Sequence, residues 1–123
     1  MLGRKSYTQE ELDQARTAID QQVAAYKKLV KAIDGTADPT VRSALDAFEP
    51  LFFNNMTVVL DRYFVHRLRA VAGKDGNPLN EVRALSASIM SNDGRLTSDR
   101  PITSLEFSQL SKAFFDELER RFT

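Results

Sequence analysis

Apolar residues recur at steps of three and four through most of this chain, the spacing of amphipathic helices, and capping signals divide the pattern into four segments. Leu12, Ala15, Ile19, Val23, Tyr26, Val30 and Ile33 form one narrow stripe. Ahead of it, Thr8 with Glu11 reads as a capping box and Tyr7 with Leu12 as the hydrophobic staple around it, so the first helix should begin at about Gln9. Gly35 is placed to end that helix in the left-handed conformation.

Asp38-Pro39 opens the second segment, a capping acid followed by proline at the first helical position, where its missing N–H costs nothing. Val41, Leu45 and Phe48 supply the inward face up to Pro50. That proline disfavours helical geometry at Glu49 and removes the bond to the Asp46 carbonyl, so a kink or a break is expected there. The helix should resume at Leu51 and run to about Val71, with Gly73 as its exit.

Asn77-Pro78 repeats the cap-plus-proline device for a third helix, with Leu79, Val82, Leu85, Ile89 and Met90 on one face and Asn92-Asp93-Gly94 as its stop. A polar connection from Arg95 to Pro101 follows. Ile102-Thr103-Ser104-Leu105-Glu106-Phe107 then repeats the box and staple, and Phe107, Leu110, Phe114, Leu118 and Phe122 line the inward face of the last helix. No strand-like alternation and no repeat of solenoid length competes with this reading. The expected fold class is all-α: an antiparallel bundle of four main helices, the second kinked or broken near Pro50, in a single domain spanning residues 1–123 with 1–7 as a flexible tail.

Composition narrows the chemistry more than it enlarges it. Hydrophobic residues make up 42% of the 123, and eight Phe with three Tyr give bulky core material in the absence of Trp. Seventeen basic residues balance seventeen acidic ones, so no global field draws the chain to DNA or to an anionic membrane. Without cysteine there is no disulfide, thiolate metal site or cysteine nucleophile. The N-terminal MLGRKSYTQEE lacks the apolar centre of a signal peptide, and no stretch approaches the ~20 apolar residues of a membrane span. A cytoplasmic, unanchored protein is the expectation.

The candidate chemistry lies between Leu60 and Arg83, which holds the only histidine. On a continuous helix over residues 51–71, Phe52, Phe53, Met56, Val59, Leu60, Tyr63, Phe64, Leu68 and Val71 take one half of the wheel. Asn54, Asn55, Asp61, Arg62, His66 and Arg69 take the other. Arg62, His66 and Arg69 then form a row at i, i+4 and i+7 that can receive an anion, with Lys74 just beyond it. The same residues also complement a helix dipole, as Lys27, Lys28, Lys31, Arg120 and Arg121 do at the ends of other helices.

Arg67 falls inside the apolar arc, so it needs a carboxylate, several carbonyls or a bound anion unless it snorkels out; Glu81, Asp116 and Glu117 are candidate partners. His66 is the one candidate acid or base, but no second histidine exists for a zinc or di-iron site. A haem held by His66 between Phe64 and Phe52 is the one cofactor geometry these residues would permit in principle, and neither cofactor nor metal is expected. Gly73-Lys74 lacks the Ser or Thr of a phosphate-binding P-loop, and the Asp75-Gly76 and Asp93-Gly94 loops lack the final glutamate of a calcium loop. GKDGNP reads instead as geometry: Gly73 exits a helix, Gly76 permits a positive φ, and Asn77-Pro78 caps the next helix, whose first N–H groups could hold an anion near Lys74.

Two resemblances bear on function. The block YFVHRLRAVAGKDGNPLNEVR, the Leu-Ser-x-Ser-Ile-Met segment after it and the final AFFDELERRF resemble small helical bacterial proteins with no established activity, over the second half of the chain. In size and architecture the chain is also similar to the HEPN domains, helical-bundle ribonucleases with a polar Arg-x(4–6)-His motif; here Arg62-x(3)-His66 is one residue shorter. That likeness implies RNA cleavage with His66 as the catalytic candidate. The residues themselves point first to a binding or protein-interaction module that self-associates as a dimer, because Phe115 and the FFNNM segment extend the apolar surface beyond what one small bundle covers. A small anionic ligand held by Arg62, His66 and Arg67 is the alternative without catalysis.

Overall fold

The computed structural model describes residues 3–91 and 102–123. It is all-α, with helices α1 (Gln9–Asp34), α2 (Pro39–Tyr63), α3 (Arg69–Ala72), α4 (Pro78–Ser91) and α5 (Ser104–Phe122). The local start signals act as read. Thr8 and Glu11 close a full capping box on α1, Asp38 accepts from the Thr40 N–H ahead of Pro39, and Thr103 accepts from the Glu106 N–H at the start of α5. Asn77 Oδ1 takes the Leu79 and Asn80 N–H groups at 2.9 and 3.2 Å, so the start of α4 is already capped and is not free to hold an anion beside Lys74.

α2 is the central element and packs against α1, α4 and α5. Pro50 lies inside it without breaking it. The lost backbone bond is offset by aromatic packing on both sides of the proline, where Tyr26 of α1 stacks on Phe52 at 4.9 Å, meets Phe53 edge-on at 5.0 Å and reaches Phe48 at 6.4 Å. Phe53 in turn reaches Phe107 of α5 at 5.6 Å. These contacts hold the helix in register across a residue that alone would interrupt it.

Several expectations are corrected. α2 ends at Tyr63 and not near Val71; the chain turns through Phe64 (φ −130°, ψ 35°) and re-enters one helical turn as α3. Gly35 is right-handed at φ −79°, and Gly73, at φ 82°, is the positive-φ glycine among the described residues, which leaves Gly76 in ordinary geometry. Asn54 and Asp61, placed on the polar half of the wheel, are buried, and Met90 and Phe48, placed inward, are exposed. The Asn92-Asp93-Gly94 stop and the connection to Pro101 lie outside the described residues.

Residues 3–7 are not a free tail. Arg4 makes a parallel bridge to the 66–68 turn, its N–H donating to His66 O at 2.7 Å and its carbonyl accepting from Leu68 N at 2.8 Å. Gly3 lies so close to this turn that a Cβ there would come within 3.0 Å of His66 O and Leu68 Cα. Tyr7 packs its ring against Phe64 and Phe122 and donates its N–H to Phe122 O. The Arg4 side chain then anchors on Glu11 at 2.9 Å.

The Arg4 hydrogen bond, with the Thr8 N–H second, pulls the Glu11 carboxyl down to about 2. Because the folded value is depressed, this contribution is complete above the ordinary carboxylate range and is lost as pH falls from about 4.5 toward 2. Arg4→Ala should return the Glu11 titration toward its ordinary value in a carboxyl NMR experiment. An unmoved Glu11 titration in that variant would show that Arg4 is not the cause.

Candidate functional site

The residue that organises the middle of the molecule is Arg67. Its side chain is 0% exposed, and it donates from Nη2 to Asp61 Oδ1 at 2.8 Å and Leu79 O at 3.0 Å, and from Nη1 to Phe64 O at 2.8 Å. The guanidinium also lies 5.3 Å from the Phe114 ring centroid. One buried cation thus ties the end of α2, the 64–68 turn, the start of α4 and the middle of α5. The chain leaves helical geometry at Phe64 because a continued α2 would carry Arg67 away from Asp61, leaving a buried charge without its carboxylate.

The anticipated partners are elsewhere. Glu117 pairs with Arg120 and Arg121, Asp116 with Lys112, and Glu81 is exposed. The Arg62, His66, Arg69 row does not form, since Arg62 lies in the last turn of α2, His66 in the turn after it and Arg69 at the start of α3, all exposed. His66 does not face a pocket walled by Phe64 and Phe52 either: Phe64 packs with Tyr7, Phe114 and Phe115, while Phe52 stacks on Tyr26 some three turns back along α2. Lys74 is exposed beside Gly73.

The GKDGNP loop is closed by its own hydrogen bonds. Asn77 Nδ2 donates to Ala72 O at 2.8 Å and Asp75 Oδ1 at 2.9 Å, Asn80 Nδ2 to Gly73 O at 3.0 Å and Asp75 O at 2.7 Å. The Asn77 bond lowers the Asp75 carboxyl below its ordinary value. Arg121 reaches back from α5 to Ala72 O at 3.0 Å and holds Glu117, whose carboxyl it lowers. This loop positions α3 and α4 and leaves no phosphate cradle.

Two residues outside the expected set join the Arg67 neighbourhood. Arg83 is half-buried one turn along α4 from Leu79, and its Nε and Nη2 are buried with no hydrogen-bond partner among the described residues. Tyr7, 7% exposed, carries a buried hydroxyl that likewise has none. Burial pushes the Tyr7 hydroxyl up against the opposing pull of Arg4 and Arg67. A signal for Arg83 was available in the sequence, because i+4 from Leu79 places it within roughly 40° of a core position on the same helix.

Two surface grooves with apolar linings lie away from this cluster. One, of about 380 Å³ between α1 and α5, is floored by Ile19, Val23, Phe107 and Phe115 and covered at one end by Arg16, which is tied to Glu119 at 3.2 Å and lies over the Phe115 ring. The other, of about 370 Å³, lies at the far end of the α1–α2 pair and is lined by Leu29, Ile33, Thr40, Val41, Ala44, Leu45 and Phe48. Among the described residues there is no cluster of three or more metal-ligating side chains, and no helix is long and apolar enough to cross a membrane.

Fold and site together define an all-α bundle fastened by a buried arginine clasp, with an uncovered apolar end. No family model, no curated protein and no solved structure matches the chain.

Proposed function

We propose that the protein is a cytoplasmic interaction module that self-associates through the end of its α1–α2 hairpin. The observation that supports this reading is the groove lined by Leu29, Val41, Ala44 and Phe48, which contains no charged residue. α1 and α2 extend over about 39 and 38 Å, whereas α4 and α5 reach only about 21 and 28 Å, so the hairpin end outruns the helices that cover its other half. Leu29, Phe48 and Leu51 are 47%, 44% and 53% exposed in consequence. An apolar surface of this kind rimmed by charge has the anatomy of a protein interface.

Phe115, Phe53 and Met56 are buried within the chain and offer no surface for self-association. The hairpin replaces them. A second copy suits it because the charges from residue 27 to 49 are balanced and unevenly divided: Lys27, Lys28 and Lys31 with Asp34 on α1, and Asp38, Asp46 and Glu49 with Arg42 on or at the start of α2. Setting α1 of one copy beside α2 of the other joins apolar faces and places opposite signs at the rim. None of the three lysines is ion-paired among the described residues, whereas Arg42 is held by Asp34 and Asp46.

Sedimentation equilibrium tests this. The wild type should form a dimer, and Phe48→Glu, with Leu29→Glu as a second variant, should weaken association by roughly tenfold or more while circular dichroism keeps its helical signal. A wild type that stays monomeric at high concentration, or variants that dimerise as tightly as the wild type, would remove the proposal.

A further inference from the structure

Arg67 spends Nη1 and Nη2 on protein oxygens, which leaves its buried Nε–H without a partner. Arg83 presents Nε and Nη2, the two nitrogens along one edge of the guanidinium, and that edge binds two oxygens of a single carboxylate or phosphate. The Tyr7 hydroxyl is a third kind of donor with no partner among the described residues, on a side chain whose ring touches Phe64, the residue whose carbonyl Arg67 holds. Native proteins leave few buried donors unpaired, and here four such atoms belong to three neighbouring side chains.

Charge agrees with the donor pattern. Asp61 is paired with Arg67, its charge also acts on Arg83, and exposed Arg69 adds a further positive charge. Burial first, and then the charge of Arg67, lower the Arg83 guanidinium below its ordinary value, with Asp61 opposing them. A half-buried cation pushed in this direction is one that a bound anion would relieve.

We propose that Arg83, Arg67 and Tyr7 form a binding site for a small oxyanion, a phosphoryl or carboxylate group, where the N-terminal segment, the 64–68 turn and α4 meet. Arg83 grips two oxygens side-on, while Arg67 Nε and the Tyr7 hydroxyl complete the shell. The site is independent of the hairpin groove, which lies at the other end of α2.

Thermal unfolding with inorganic phosphate, with acetate and with chloride at matched ionic strength tests it. Phosphate or acetate should raise the wild-type midpoint above that in chloride, and whichever ion acts identifies the group. Arg83→Met should weaken that ion's affinity by roughly tenfold or more, and Arg83→Lys likewise, since lysine keeps the charge and loses the two-nitrogen edge. Arg62→Met, at the exposed end of α2, should respond like the wild type. The Arg67 and Arg83 Nε–H resonances should shift on titration with the same ion. Equal midpoints in all three salts with unmoved Nε–H signals, or an unchanged response in Arg83→Met, would overturn the proposal.

Discussion

Asp61→Ala should destabilise the protein by about 3–5 kcal/mol, measured as a fall in the urea midpoint, because it leaves the Arg67 guanidinium buried without a counterion. The two partners are not equivalent. The Arg67 side chain is 0% exposed and that of Asp61 11%, so Asp61 can regain some water when its partner is removed, and Arg67→Met should cost less than Asp61→Ala. Asp61→Ala combined with Arg67→Met should recover much of the loss, since it removes both buried charges. The sum of the single effects should therefore exceed the effect of the pair. Additive losses would show that the two side chains do not depend on each other.

Phe114→Ala should cost a similar amount, about 3–5 kcal/mol, by opening a cavity at the centre of the bundle. Phe114 is fully buried, its ring 6.1 Å from Phe64 and 5.8 Å from Phe115 in an edge-on arrangement, with the Arg67 guanidinium over its face. The cavity would therefore loosen the clasp from below as well as the core. Calorimetric unfolding of Phe114→Ala, Arg67→Met and the double variant should give a non-additive result. A loss below about 1 kcal/mol in the single variant would mean that the neighbouring rings collapse into the space.

How much of this was legible in the sequence depends on whether the signal was local. Helix starts were readable because Thr8, Asp38, Asn77 and Thr103 each accept from a backbone N–H within three residues, Glu11, Thr40, Leu79 and Glu106 respectively. The end of α2 was not, because no glycine, proline or asparagine marks Tyr63. It stops where the N-terminal segment, remote in sequence, pairs with residues 66 and 68, and where Arg67 finds Asp61, a nearby residue that an unbroken helix would keep apart from it.

The site shows the same division. Arg67 could be identified as a charge in an apolar setting, but not its partner: on an unbroken helix residues 61 and 67 lie roughly 120° apart, which sends Asp61 to the solvent side. Arg62, His66 and Arg69 share a row only on a continuous helix, and α2 ends at Tyr63. At Pro50 the helix does not break, since Tyr26, Phe48, Phe52 and Phe53 pack across it from two helices.

The bond from Tyr7 N–H to the carbonyl of Phe122, with the Tyr7 ring between Phe64 and Phe122, also sets the order of events during synthesis. α1, α2 and α4 emerge from the ribosome well before the residues that close the far side of the core, and until α5 is free Phe53, Phe64 and Tyr7 lack the faces of Phe107, Phe114 and Phe122. The aromatic centre therefore cannot close until α5 has been made.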